Sequence, residues 1–168
     1  MRIAIAQLDF TIGAFDDNLA RIAGAADEAG RRGADLLVLT ELATTGYPPE
    51  DLLERSDFVD RSLEMLDRVA ALSDGELAIL VGYVERNPAP EGKALYNAAA
   101  LCHRGWVVGR TRKCLLPTYD VFDEARHFEA GGAVEPMQLG GVRLGVTICE
   151  DVWTDVEVGS RHLYRRDP

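Results

Sequence analysis

Cysteine, histidine and aromatic side chains are scarce in this chain. Its 168 residues include three cysteines (Cys102, Cys114 and Cys149), three histidines and 7% aromatics. An odd, widely spaced set of cysteines fits reduced thiols in a cytoplasm better than a disulfide framework. No apolar run approaches the length of a membrane span, so no membrane partner is expected. Met1 leads directly into Arg2-Ile3-Ala4-Ile5-Ala6-Gln7-Leu8, without the layout of a signal peptide. Cations are outnumbered: 18 Lys and Arg against 28 Asp and Glu give a net charge of -10. That balance argues against a nucleic-acid partner, because phosphate binding needs clustered cations. The chain has no repeats and no low-complexity tracts.

What is there is an ordinary globular composition. Hydrophobic residues make up 47%. A single domain of this size buries roughly 70% of its unfolded surface. Arg2 to Leu8 reads as a buried strand. Asp16 or Asp17 caps a helix running through Leu19, Ile22, Ala23 and Ala26 to about Arg31, and Gly33 is its stop. Leu36 to Leu39 is a second buried strand, so the unit is a parallel pair with a right-handed crossover. Thr44 to Asp51 reads as a loop. Leu52 to Leu72 holds a second helix, with Val59, Leu63, Leu66 and Val69 at helical spacing. Leu77 to Val84 is a third strand. Leu95 to Cys102 and Trp106 to Lys113 form a hairpin around His103-Arg104-Gly105. Leu115 to Gly132 is a long loop of the kind that often carries function. Val134 to Leu139 is a short strand, and Val142 to Ile148 a strong one. The fold class is α/β.

Three residues stand where apolar runs end. Glu41 follows Leu36-Leu37-Val38-Leu39, Lys113 ends the run that starts near Trp106, and Cys149 follows Val142 to Ile148. In open sheets of parallel strands, ligands bind beyond the carboxyl ends of the strands. A carboxylate, an ammonium and a thiol at one sheet edge make a nucleophilic site. The thiol attacks, the carboxylate moves the proton, and the ammonium holds the oxyanion. Plainer readings compete. Taken singly, Glu41 is a solvated acid, Lys113 a surface lysine and Cys149 an inert buried thiol. A Cys-His hydrolase built from Cys149 with His127 or His162 is a further rival. The pairs Cys102-His103 and Cys114-His127 fit no zinc spacing, and no metal site is expected.

The text around these residues resembles the nitrilase, or carbon-nitrogen hydrolase, superfamily, whose members use Glu, Lys and Cys in this order. Within it, three segments are similar to the glutaminase domains of glutamine-dependent NAD synthetases. They are Glu41-Leu42-Ala43-Thr44-Thr45-Gly46-Tyr47-Pro48-Pro49-Glu50-Asp51-Leu52-Leu53, the stretch from Lys113 to Phe128, and Cys149-Glu150-Asp151-Val152-Trp153. The resemblance implies Glu41 as general base, Lys113 as oxyanion stabiliser that also helps keep the thiolate charged, and Cys149 as nucleophile. The N–H of Glu150 is a candidate second oxyanion partner. Tyr119 resembles the tyrosine of the glutamine pocket, with a core tyrosine as the competing reading. Glu124, placed with Tyr119 in the substrate-binding set, resembles an accessory glutamate that orients the lysine; an exposed loop acid is the alternative. The side chains of Glu150 and Asp151 read either as contacts to the substrate amino group or as solvated acids.

The resemblance also implies a nitrilase-type αββα sandwich, of which residues 1–153 supply the N-terminal portion. Residues 154–168 form an unmatched polar and basic tail, and a fragment, a truncated product or a frame-shifted remnant is the expectation. Implied partners are glutamine and a synthetase domain or subunit that receives the ammonia, with a homo-oligomer as the assembly. The glutaminase step needs no cofactor; ATP and Mg belong to the synthetase step. The alternatives are a stand-alone amidase for another small amide and an inactive fragment.

Overall fold

The computed structural model describes residues 1–153 and Pro168. Along the chain run β1 (Ile3–Ile5), α1 (Phe15–Arg31), β2 (Leu36–Val38), a 3-10 turn at Glu50–Glu54, α2 (Ser56–Ala71), β3 (Ala78–Arg86), β4 (Leu95–His103) and β5 (Trp106–Arg112). Then come α3 (Glu124–His127), β6 (Met137–Leu139), β7 (Val142–Leu144) and a second 3-10 turn at Cys149–Val152. The first five strands form one sheet in the order β1-β2-β3-β4-β5. β1, β2 and β3 are parallel, while β4 pairs antiparallel with both β3 and β5. β5 therefore runs in the direction of β2 and β3. The end of β2, the start of β4 and the end of β5 share one edge of the sheet.

Both faces of the sheet are covered at its centre, which is why its strands read as apolar runs. α1 and α2 lie on one face. Phe15, Ile22, Ala26 and Ala29 of α1, with Val59, Met65, Leu66 and Val69 of α2, pack on Leu37, Ile79, Val81 and Ala100. On the other face, Leu36, Ala78, Leu80, Ala99 and Leu101 meet Met137 and Ile148. Burial of this kind is worth roughly 25 cal/mol per Å² of apolar surface. The β4–β5 turn places Arg104 and Gly105 at φ of 54° and 82°, as a two-residue hairpin requires.

Four expectations change. β1 is an edge strand and not a buried one: Ala4 packs toward the helices, while Ile5 is 80% exposed on the other face. The expected helix over 52–72 is divided into a 3-10 turn and α2, with Arg55 extended between them. α1 has no side-chain cap; Ala14 holds that position, and Asp16 and Asp17 lie in the first turn. The expected strand over 142–148 pairs only through Val142–Leu144, and its partner is β6 rather than the main sheet. Val146 and Ile148 pack across the sheet face instead. The tail read over 154–168, with His162, lies outside the described residues apart from Pro168.

Candidate active site

Glu41 lies just past β2, on a segment pressed against β3. Leu39 N–H donates to Leu80 O, and Thr44 N–H to Gly82 O. A Cβ on Gly82 would sit 2.3 Å from Leu42 N and 2.7 Å from Thr40 O. The glycine is thus what allows the Glu41 backbone so close to the sheet. The turn after Glu41 is sealed: Leu42, Ala43, Thr44 and Thr45 are fully buried, and the Thr44 and Ser62 hydroxyls share a hydrogen bond of 2.9 Å.

Lys113 follows β5 directly. Its backbone N–H donates to Asn97 O on β4 (2.8 Å). Its side chain is 0% exposed and donates to Glu41 Oε1 (2.7 Å) and Glu124 Oε1 (2.8 Å). Burial works to deprotonate this ammonium, but the charges of Glu41 and Glu124 outweigh it and hold its pKa above the usual lysine value. Glu124 opens α3, and its pKa is raised, chiefly by burial and against the pull of Lys113. Tyr47 Oη donates to Glu124 Oε1 (2.8 Å). Asn97 Nδ2 donates to Glu41 Oε1 (2.6 Å) and, more weakly, to Glu124 Oε2 (3.3 Å).

Cys149 stands at the start of the second 3-10 turn, exposed, with a φ of 46°. A left-handed non-glycine residue is strained, a feature that clusters at functional sites. With Glu41, Thr40, Gly82, Ala99 and Ile148 it lines a cleft of about 340 Å³. Burial raises the thiol pKa first, then the charge of Glu41, which also accepts a hydrogen bond from the thiol; Lys113 pulls the other way. Lys113 thus pulls toward the thiolate as expected, but burial and Glu41 outweigh it and favour the thiol. Cys102 is buried and pushed up to about 12, and Cys114 is buried too.

One buried carboxylate ties this turn to the lysine segment. Asp151 Oδ1 accepts from the N–H groups of Cys114 and Leu115 (both 2.9 Å), and Oδ2 accepts from Ile148 N–H (3.0 Å). Asp151 and Glu150 are both buried, which removes the reading of them as solvated acids. Glu150 Oε2 accepts from Tyr119 Oη (2.9 Å). Tyr119 is 47% exposed and is not a core residue.

The structure thus brings Glu41, Lys113, Glu124 and Cys149 together, with Tyr119 and Glu150 paired next to the thiol. His127 points its Nε2 to Asp51 Oδ1 (3.7 Å), and Asp51, Glu54 and His127 form one small group. Arg126 already reaches Asp51 and Glu54. Asn97, Tyr47, Gly82 and Asp151 were not assigned their parts from the sequence. Two signals were available: a lone Asn in the apolar run Leu95 to Cys102, and the scarcity of lysine, with only Lys93 and Lys113 in the chain.

A family model, carbon-nitrogen hydrolase, matches residues 2–158. The chain is 44% identical to a glutamine-dependent NAD(+) synthetase of Synechocystis sp. over 169 residues, covering 99% of this chain and 30% of that protein. It also resembles the structure of a glutamine-dependent NAD+ synthetase from Acinetobacter baumannii, with a TM-score of 0.82 and 34% identity over 90% of this chain and 28% of that one. An amidase from Nesterenkonia sp. shares the fold at a TM-score of 0.74 and 27% identity, over 90% of this chain and 56% of the amidase. The chain spans under a third of the length of the synthetases it matches.

Proposed function

The chain belongs to the carbon-nitrogen hydrolase family, and on that premise we propose that it carries a glutaminase site that frees ammonia from the glutamine side-chain amide. The observation that supports this best is the Cys149 thiol beside Glu41, with the Lys113 ammonium 2.7 Å from the same carboxylate. Cys149 Sγ attacks the amide carbon while Glu41 takes the thiol proton. The oxyanion is met by Lys113 and the N–H of Glu150. Glu41 returns the proton to the leaving nitrogen, and ammonia departs from a thioester. Water, deprotonated by Glu41, then releases glutamate and restores the thiol.

Tyr119 and Glu150 are the proposed contacts to the substrate backbone, since half-exposed Tyr119 is bonded to buried Glu150 beside the thiol. Glu124 is assigned to holding Lys113 rather than substrate, because both its oxygens are taken by protein donors. The relatives' name supports the reading that the ammonia serves NAD synthesis; conversion of deamido-NAD to NAD with ATP and Mg is proposed for that later step, and the glutaminase step runs through the protein's own groups. A homo-oligomer is the proposed assembly, supported by exposed Ile3, Ile5, Trp106 and Val108. A cytoplasmic setting is proposed from three free thiols; among the described residues, no helix is long and apolar enough to cross a membrane.

Ammonia release from L-glutamine, compared with acetamide and other small amides, tests this reading. Release from glutamine that disappears in Cys149→Ala is the expected result. Faster release from small amides would put a general amidase in its place, the activity named for the Nesterenkonia relative.

A further inference from the structure

Asn97 is the polar exception in β4. Its neighbours Ala98, Ala99, Ala100 and Leu101 are apolar and buried, and Asn97 itself is 1% exposed. Its carboxamide is used on one side only. Nδ2 reaches Glu41 Oε1 at 2.6 Å and Glu124 Oε2 at 3.3 Å, while Oδ1 is buried with no partner among the described residues. Two acceptors on the nitrogen fix which way the amide points. An orphaned buried carbonyl is a cost that an apolar residue here would avoid. A side chain selected for stability alone would match its alanine neighbours, so the N–H groups are what the position requires.

We propose that Asn97 is a positioning residue that holds the Glu41 carboxylate in place for the Cys149 thiol, a role that rests on Glu41 being the base. Lys113 and Asn97 both donate to Glu41 Oε1, which leaves Oε2 for the thiol. Asn97 does this without adding charge. The cluster already holds two carboxylates and one ammonium; a further acid would add repulsion, and a further cation would neutralise the base. By spanning Glu41 and Glu124, the amide also keeps the two acids from sharing a proton with each other. The groups that face Glu41 are Lys113 after β5, Glu124 on α3, Tyr47 in the loop after β2 and Cys149. Beside them, Asn97 is the amide that donates to it directly.

The test is the pH dependence of Cys149 alkylation by iodoacetamide in the full chain, with adducts mapped by mass spectrometry. The thiol needs an acceptor for its proton, so the rate should fall in acid where that acceptor is lost. Losing a donor to a carboxylate favours its protonated form. In Asn97→Leu that acid limb should therefore move to higher pH. Glu41→Gln should abolish the limb. A profile that Glu41→Gln leaves unchanged would overturn the reading of Glu41 as base. A limb abolished by Glu41→Gln but unmoved by Asn97→Leu would overturn the role of Asn97 alone. If Asn97→Leu does not fold, Asn97→Asp keeps the shape and exchanges the donor for an acid, and its limb should rise further; no rise overturns the proposal. Loss of folding in both variants would assign Asn97 to the architecture and overturn it as well.

Discussion

The carboxylate–ammonium cluster and the cysteine turn are held in different ways. Glu41, Lys113, Asn97 and Glu124 gather at one end of the main sheet, where the end of β2, the start of β4 and the end of β5 meet. Their bonds run between side chains, and Lys113 is wholly enclosed. Cys149 stands on a single 3-10 turn at the end of a segment that crosses the other sheet face, exposed and with a strained backbone. It is tied to the lysine segment by the Asp151 carboxylate, which is bonded to three backbone N–H groups. The cluster is thus part of the core, and the nucleophile is an attachment to it. Damage to the first should cost folding; damage to the second should cost reactivity before it costs folding.

Lys113→Ala should have the largest effect. It leaves Glu41 and Glu124 facing each other without their cation, and breaking a buried ion pair costs about 3–5 kcal/mol. Urea unfolding should show a loss of that size. A loss under about 1 kcal/mol would be that of a surface pair and would remove the contrast.

Asp151→Ala comes next. Hydrogen bonds to a charged group are worth about 1.5–3 kcal/mol each, and three on one carboxylate do not add, so a loss of about 3 kcal/mol is expected. Hydrogen exchange should quicken at the amides of Ile148, Cys114 and Leu115, while that of Lys113, bonded to Asn97 O, stays slow. Equal quickening at Lys113 would mean that the two regions open as one unit.

The cluster was more legible in the sequence than its attachment. Glu41 and Lys113 end strand-like runs that are strands of the main sheet, so a strand-end rule finds them. Cys149 also ends an apolar run, but most of that run is not a strand. Val146 and Ile148 are apolar because they cover Leu36, Leu80 and Ala99, and a short apolar run does not reveal whether it pairs or packs. Asp151 is open in the sequence between a substrate contact and a solvated acid; only the fold brings the N–H groups of residues 114 and 115 to it. Gly82 was passed over for the same reason, since its neighbour in space is forty residues away in sequence.

Gly82→Ala sharpens the contrast from within the sheet. The added Cβ would meet Leu42 N and Thr40 O, and overpacking of this kind costs about 1–3 kcal/mol. Glu41 should be displaced, so Cys149 alkylation should slow along with the loss of stability. A stable variant with unchanged alkylation would show that Glu41 tolerates the shift. Tyr119→Phe should do least: its bond to Glu150 lies at a half-exposed side chain, so stability should change by about 1 kcal/mol or less. Protection of Cys149 by L-glutamine should weaken all the same; unchanged protection would remove Tyr119 from the substrate contacts.

The most direct test is labelling by a diazo-ketone analogue of glutamine, with the adducts mapped over all three cysteines. Cys149 should be labelled first, since Cys102 and Cys114 are buried, and Glu41→Gln should slow that labelling by roughly a hundredfold, the scale of a general base. Labelling of Cys102 or Cys114 ahead of Cys149, or a Cys149 rate indifferent to Glu41→Gln, would contradict a nucleophile served by the Glu41–Lys113 cluster.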